Sequence, residues 1–431
     1  MDSTSVLPPE LLQGVFDHIG LSDVIRASHV SQRWRVLACQ HPTYCRRVVL
    51  HETAEQPSKS SLVERAIAQL TLGSTAPIDV DVVRYFPASE LVAQCDRDFL
   101  RVLVDNFHRV GTLALHVLGR ECDAAALYAT LFRQVLDTRA STAHTQLRRL
   151  TLTNVALPDE TTVFERVVSL RYGGQHMHDV RITVDWLFTT FPALEELDVT
   201  DVELDTSTVS DDIGSWLSRL RYLRLNVPSS PDFLALPSVA HIMHVAVVNP
   251  TAADAVTIVS HIGDGQVDVA LAEVDEARRC QKLTLIWRLN GIIRDLEFRN
   301  FVWLPDVPNL APLSYHVSTL SLPLSDWDEA VQAFPHLVTL RCLTLILNET
   351  LQSELDTVLH APSVRDLFLL GSNDYHEPVD GLALERFLRA FNPSCKSRIH
   401  LRLDGVLMKG WSDGLLELLE NGAELKSKWA Q

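Results

Sequence analysis

The chain is short of positive charge: 38 Lys and Arg face 55 Asp and Glu, for a formal net charge of −17. The deficit is uneven. Residues 1–50 hold five basic residues (Arg26, Arg33, Arg35, Arg46, Arg47) against four acidic ones (Asp2, Glu10, Asp17, Asp23), which leaves about −18 on the remainder. Such a surface repels polyanions, so no nucleic acid and no anionic membrane is expected as a partner. The seven cysteines (Cys39, Cys45, Cys95, Cys122, Cys280, Cys342, Cys395) are scattered, odd in number and without any CxxC. That pattern suggests neither a disulfide framework nor a zinc site. Also missing is a run of about eighteen uncharged apolar residues, and the start, MDSTSVLPPE, has no basic segment followed by an apolar stretch. A protein of a reducing compartment, cytoplasmic and/or nuclear, is expected.

Catalytic signatures are absent as well. There is no GxSxG elbow, no phosphate loop ending in Gly-Lys-Ser/Thr, no GxGxxG and no HExxH. His176-Met177-His178-Asp179 puts two histidines on one side of an extended segment but supplies no third ligand with an evident geometric link, and it reads as a loop after Gly173-Gly174. His241 and His244 read as ordinary solvent or core histidines. The expectation is a chain with no catalytic residue, no metal and no cofactor, and so not an enzyme.

What is present begins with residues 7–37. Pro8 and Pro9 suit a first helical turn, Glu10 lies by the positive end of its dipole, and Leu11, Leu12, Val15, Phe16 and Ile19 fall at helical spacing before Gly20 ends the helix. Ser22 is expected to cap a second helix through Ala27. Ser31 is expected to cap a third, on which Trp34 and Leu37 follow Val30. Three helices in about thirty residues cannot enclose a core alone. Either the rest of the chain or another protein must cover their apolar surface.

The order Leu7-Pro8, Glu10-Leu11-Leu12, Val15-Phe16, Ile19, Asp23, Val30-Ser31, Trp34-Arg35 resembles the F-box. Gly14 within the first helix and His29, where family members often carry Arg or Cys, depart from the pattern but leave its apolar positions intact. The resemblance implies docking onto a Skp-type adaptor, and through it a cullin, by Leu7, Pro8, Leu11, Leu12, Val15, Phe16, Ile19, Val30, Trp34 and Leu37. The alternative is a helical cap that seals the end of a larger domain.

Beyond residue 61 the pattern becomes strand plus helix. Ile78, Val80 and Val82 alternate with Asp79 and Asp81 as a half-buried strand does, and helical stretches Leu62–Leu72, Ser89–Arg109 and Cys122–Asp137 precede successive strands at steps of about 35 residues. The strands share an LxxLxL spacing: Leu147-Leu150-Leu152, Leu194-Leu197-Val199, Leu220-Leu223-Leu225, Val317-Leu320-Leu322, Val364-Leu367-Leu369. Proline marks the end of several helices, as at Phe191-Pro192, Leu236-Pro237, Phe334-Pro335 and Ala361-Pro362. This resembles an irregular leucine-rich-repeat-like solenoid, although the steps range from about 19 to over 40 residues and the asparagine after the motif is absent or displaced. A doubly wound α/β domain stays open as the alternative.

Leu283 to Phe298 breaks the pattern: two apolar runs flank Asn290-Gly291, which predicts an antiparallel hairpin or a wide excursion from the solenoid. Trp186, Trp216, Trp327 and Trp411 are expected to pack in helices, Trp287 and Trp303 to flank the hairpin, and a helix over Trp411–Leu419 to cap the last repeat. The fold class is α/β, with a three-helix F-box at 1–50, a linker at 51–61 and the solenoid at 62–431.

The whole resembles the F-box proteins that fungi encode in large, divergent numbers. It implies the substrate-recognition subunit of an SCF-type cullin-RING ubiquitin ligase, holding an unknown target protein on the solenoid. The alternatives are a non-degradative interaction scaffold and, least favoured, a hydrolase. Some of the carboxylates of Asp79, Asp81, Asp198, Asp201 and Glu203 are expected to point into the hollow of the solenoid and to favour a basic target segment.

Overall fold

The computed structural model describes residues 7–52, 60–71, 77–86, 94–119, 123–140, 146–157, 162–174, 181–207, 210, 212–226, 231–263, 265–275, 280–298, 307, 310–351, 361–372, 377–391 and 399–426. They form two compact units, Met1–Leu220 and Arg221–Gln431.

The first unit opens with four helices, α1 (Pro9–Asp17), α2 (Leu21–Ala27), α3 (Gln32–Gln40) and α4 (Pro42–Arg46). Pro9 begins α1, where its missing N–H costs no helical bond. Ser31 caps α3 as its sequence position predicts, its hydroxyl accepting from the Trp34 amide at 3.3 Å. Ser22 does not cap α2: the helix starts one residue earlier, with Gly20 as an extended N-cap and no side-chain bond. Gly20 therefore opens α2, and α1 has already closed at His18.

A strand follows without a break. β1 (Arg47–His51) is succeeded by α5 (Ser60–Thr71), β2 (Ile78–Phe86), α6 (Gln94–Asn106), β3 (Val110–Gly119), α7 (Asp123–Ala140), β4 (Arg149–Thr153), β5 (Ser169–Gly173), β6 (Arg181–Thr183), α8 (Val184–Thr190), β7 (Glu196–Thr200), β8 (Glu203–Asp205) and α9 (Ile213–Leu217). The strands β1-β2-β3-β4-β5-β7 lie side by side in that order, each parallel to the next. A doubly wound sheet reverses its strand order at a switch point, and this ladder has none. Burial supports the distinction. Along β2 buried and half-buried residues alternate strictly, so one face packs and the other stays open, whereas a parallel sheet covered on both faces is apolar throughout. Of the linker expected at 51–61, His51 completes β1, Glu52 is buried, and 53–59 lie outside the described residues. Gly173, at φ 145°, ends β5 where a Cβ would come within 1.8 Å of the Thr200 carbonyl oxygen, so only glycine admits β7 beside it.

The second unit runs β9 (Tyr222–Asn226), α10 (Pro231–Leu234), β10 (His244–Val248), α11 (Ala252–Ser260), β11 (Val267–Asp275), β12 (Cys280–Trp287), β13 (Ile292–Phe298), α12 (Leu310–Leu313), β14 (Val317–Pro323), α13 (Trp327–Ala333), β15 (Cys342–Leu347), β16 (Asp366–Gly371), β17 (Val379–Asp380), α14 (Gly381–Phe391), β18 (Ile399–Asp404), β19 (Met408–Lys409), α15 (Asp413–Leu418) and β20 (Leu419–Lys426). Its ladder is ordered β9-β10-β13-β12-β11-β14-β15-β16-β18-β20. Asn290-Gly291 does turn a hairpin, with Gly291 at φ 71° and β12 antiparallel to β13. It is no excursion, however. β11, β12 and β13 form a meander within the ladder, so that β13 continues parallel to β10 and β11 parallel to β14. Trp327 is buried as expected, but Trp411 is 41% exposed and precedes α15, and the last described element is the edge strand β20 rather than a capping helix. Trp303, His176 and His178 lie outside the described residues.

Candidate functional site

The four N-terminal helices hold a small core. Leu12, Phe16, Val24, Ala27, Leu37 and Ala38 are buried together, with Ile19, Trp34 and Tyr44 packed on them. Phe16 is its centre: the Trp34 ring meets it edge-on at 5.7 Å between centroids and the His41 ring at 5.6 Å. His41, buried, also reaches Asp17 through Nε2 at 3.2 Å. Arg33 donates to the carbonyl of Leu7, and Arg35 Nε to that of Ser28 at 3.2 Å, so α3 fixes both the lead into α1 and the end of α2.

This core divides the ten residues that the sequence grouped as one docking set. Leu12, Phe16 and Leu37 point inward and Ile19 and Trp34 are part-covered, whereas Leu7 (40%), Leu11 (58%), Val15 (48%) and Val30 (62%) are exposed, as is Pro8. Leu11 and Val15 are four residues apart and share one face of α1. Val36, 49% exposed, is a further exposed apolar side chain of this span that the sequence reading did not single out. The signal was available: once Trp34, Leu37 and Ala38 are assigned inward at helical spacing, Val36 must face away. Five large apolar side chains are thus exposed within thirty residues.

β1 and its successor residue tie these helices into the strand ladder. Glu52 donates its N–H to Val83 O at 2.9 Å, and its carboxylate pairs with the Arg84 guanidinium, which also holds Asp96 of α6 at 2.8 Å. All three side chains are 1% exposed. Gln69 of α5 donates to the carbonyl of Tyr44 at 3.1 Å, a second link.

The open faces of the two ladders are polar. In the first unit Asp81 accepts from His51 at 3.0 Å, and Arg171 pairs with the nearly buried Asp198 at 2.8 Å. Glu203 of β8 does not lie on the ladder as expected: it is held by Arg181 of β6 at 2.9 Å in a separate two-stranded parallel sheet. The acidic residues expected to await a basic partner are thus in part already neutralised by cations on adjacent strands, because parallel register sets them side by side. In the second unit Asp295 collects His244, Lys282 and Thr284, each at 2.7 Å. Burial pushes its carboxyl up, and the three hydrogen bonds outweigh that and hold it below the usual range. His244 is thus a partner of Asp295 rather than a free histidine. Among the described residues no group of three or more His, Cys, Asp or Glu is placed to hold a metal ion, and no helix is long and apolar enough to cross a membrane.

No curated protein matches the chain. Residues 4–51, which span α1 to α4 and β1, match the family model described as F-box-like. The chain therefore carries an F-box-like domain over these residues, and F-box domains as a class bind Skp-type adaptors of SCF-type ubiquitin ligases.

Proposed function

We propose that the protein is a substrate-recognition subunit of an SCF-type cullin-RING ligase, acting in the cytoplasm or nucleus. In this reading the exposed Leu7, Leu11, Val15, Val30 and Val36 contact the adaptor directly, while Leu12, Phe16, Ile19, Trp34 and Leu37 hold the helices that present them. The observation that carries it is the exposed apolar face of α1 over a closed core, inside the F-box-like span. The strand and helix units act as an irregular leucine-rich-repeat-like solenoid of the fungal type, and their polar open strand face receives a target protein. Ubiquitin is transferred by a separate conjugating enzyme, so this chain contributes position and no nucleophile.

The test is capture of adaptor and cullin by the full chain against a Leu11→Asp/Val15→Asp variant. Both side chains are solvent-facing, so the variant should fold normally and lose adaptor capture by about a hundredfold or more. Unchanged capture would sink the docking assignment. Adaptor bound without cullin would sink the ligase.

A further inference from the structure

In a chain of net charge −17, one cavity is walled by cations. It measures about 540 Å³, lies within the first unit, and is bordered by Arg46, Arg148, Arg149 and Arg166, with Asp79 as the one acidic member among the described residues. Distant stretches of sequence meet there for a definite reason. Arg46 closes α4. Arg149 opens β4 and is in register with Thr112 of β3, which is in register with Asp79 of β2, so these three stand in one row at the start of their strands. Arg148, just before, is pinned by its main chain: its N–H donates to Gly111 O and its carbonyl accepts from the Val168 amide, both at 2.8 Å.

The four guanidiniums differ from other arginines of the unit. Arg47, Arg84, Arg171 and Arg181 each hold a carboxylate. Arg46, Arg148, Arg149 and Arg166 have no side-chain hydrogen bond or ion pair among the described residues, and all four are exposed. Four like charges around one cavity repel each other, and a single carboxylate leaves a net of +3 when ionised. An anion relieves that repulsion. Guanidinium forks match the oxygen geometry of phosphate, which they bind through two parallel hydrogen bonds. The wall also includes Gly111, where a Cβ would meet nothing closer than 3.9 Å, so packing does not demand glycine there and its absence of a side chain leaves the space open.

We propose that this cavity binds a small ligand bearing two or more phosphate groups and no aromatic ring. The charge requires more than one phosphate for neutrality. The volume is in the range of small-molecule sites. Among the described residues no aromatic side chain lines the wall to stack a base, which sets the ligand apart from nucleotides and single-stranded nucleic acid. The site goes beyond the ligase reading and stands whether or not an adaptor binds. Because Arg46 comes from the F-box-like span, Arg149 from β4, and Arg148 and Arg166 from the segments leading into β4 and β5, a bound ligand bridges the helices and the strand ladder.

The experiment is titration calorimetry of the full chain at fixed ionic strength with pyrophosphate as the probe, beside orthophosphate and a doubly phosphorylated peptide. Pyrophosphate should bind saturably, at least about tenfold more tightly than orthophosphate, and should raise the melting temperature. Arg148→Gln/Arg166→Gln should weaken it about tenfold or more without lowering the melting temperature of the unliganded protein, since both side chains are exposed and their removal relieves like-charge repulsion. Arg46→Gln, on the helical side of the cavity, should weaken it in the same direction and supplies a second reading if the double variant folds poorly. Absence of saturable binding, equal affinity for orthophosphate, or affinity indifferent to these substitutions would overturn the proposal. Preference for the phosphopeptide would also overturn it, by assigning the cavity to a protein segment.

Discussion

In α1 the neighbours Leu11 and Leu12, and again Val15 and Phe16, part company: Leu12 and Phe16 are buried and Leu11 and Val15 lie in water. In β2 the alternation sorts chemistry as well as position, with Ile78, Val80 and Val82 inside and Asp79 and Asp81 on the open face. The same chain thus leaves one surface apolar and another polar. An apolar surface gains from docking by shedding water, and a polar one by matching charges and hydrogen bonds, so the two regions are suited to different kinds of partner.

The sharpest way to break the contrast is to attack the buried ion triad that pins the residue after β1 to β2 and α6. Arg84→Met should destabilise the first unit by about 3–5 kcal/mol, because Glu52 and Asp96 would remain buried without their cation. Chemical denaturation measures it. Arg84→Met with Glu52→Gln and Asp96→Asn should recover most of the loss, which separates the unpaired charge from lost packing.

Phe16→Ala should remove about 3–5 kcal/mol from the helical core, whereas Leu11→Asp should stay within about 0.5 kcal/mol of the parent, as befits an exposed site. Thermal denaturation followed by circular dichroism distinguishes them. Comparable losses from both would mean that Leu11 is covered by the rest of the chain and that α1 is a cap.

Acid should act on the second unit through His261. Burial, and then the charge of Arg294, push its imidazole down to about 4, against an opposing bond from Nε2 to the Leu234 carbonyl at 3.0 Å. Its other nitrogen, Nδ1, is buried with no hydrogen-bond partner among the described residues, so the fold holds the neutral ring. Below pH 6.5 the unfolded chain takes up a proton that the folded one refuses, and the stability present above pH 6.5 is lost as pH falls towards 4. The loss is on the order of 1–3 kcal/mol. Urea titrations at pH 7 and pH 4.5 should show it, and His261→Gln should flatten that part of the difference.

The smallest effect is at the hairpin. Gly291→Ala should cost about 1 kcal/mol, since Gly291 sits at φ 71° with open space around it and only the backbone conformation resists a side chain. A larger loss would point to contacts at the turn beyond its own geometry.

Much of this was written in local sequence. The Pro9 start of α1, the Ser31 cap of α3, the Asn290-Gly291 turn and the alternation of β2 each depend on residues within a few positions of one another, and backbone sterics and hydrogen bonding act at that range. The order of apolar residues from Leu7 to Leu37 likewise marked an F-box-like segment. Tertiary structure alone decided which of those residues face inward, because Leu11 and Leu12 are chemically alike and only the packing of α3 on α1 tells them apart. It also placed the β11–β13 meander inside the ladder, set Arg171 beside Asp198, buried Arg84 between Glu52 and Asp96, and drew Arg46, Arg148, Arg149 and Arg166 around one cavity. Each of these depends on strand register between residues far apart in the chain, and register is fixed by the burial of the whole sheet face at once, a property that no short stretch of sequence carries.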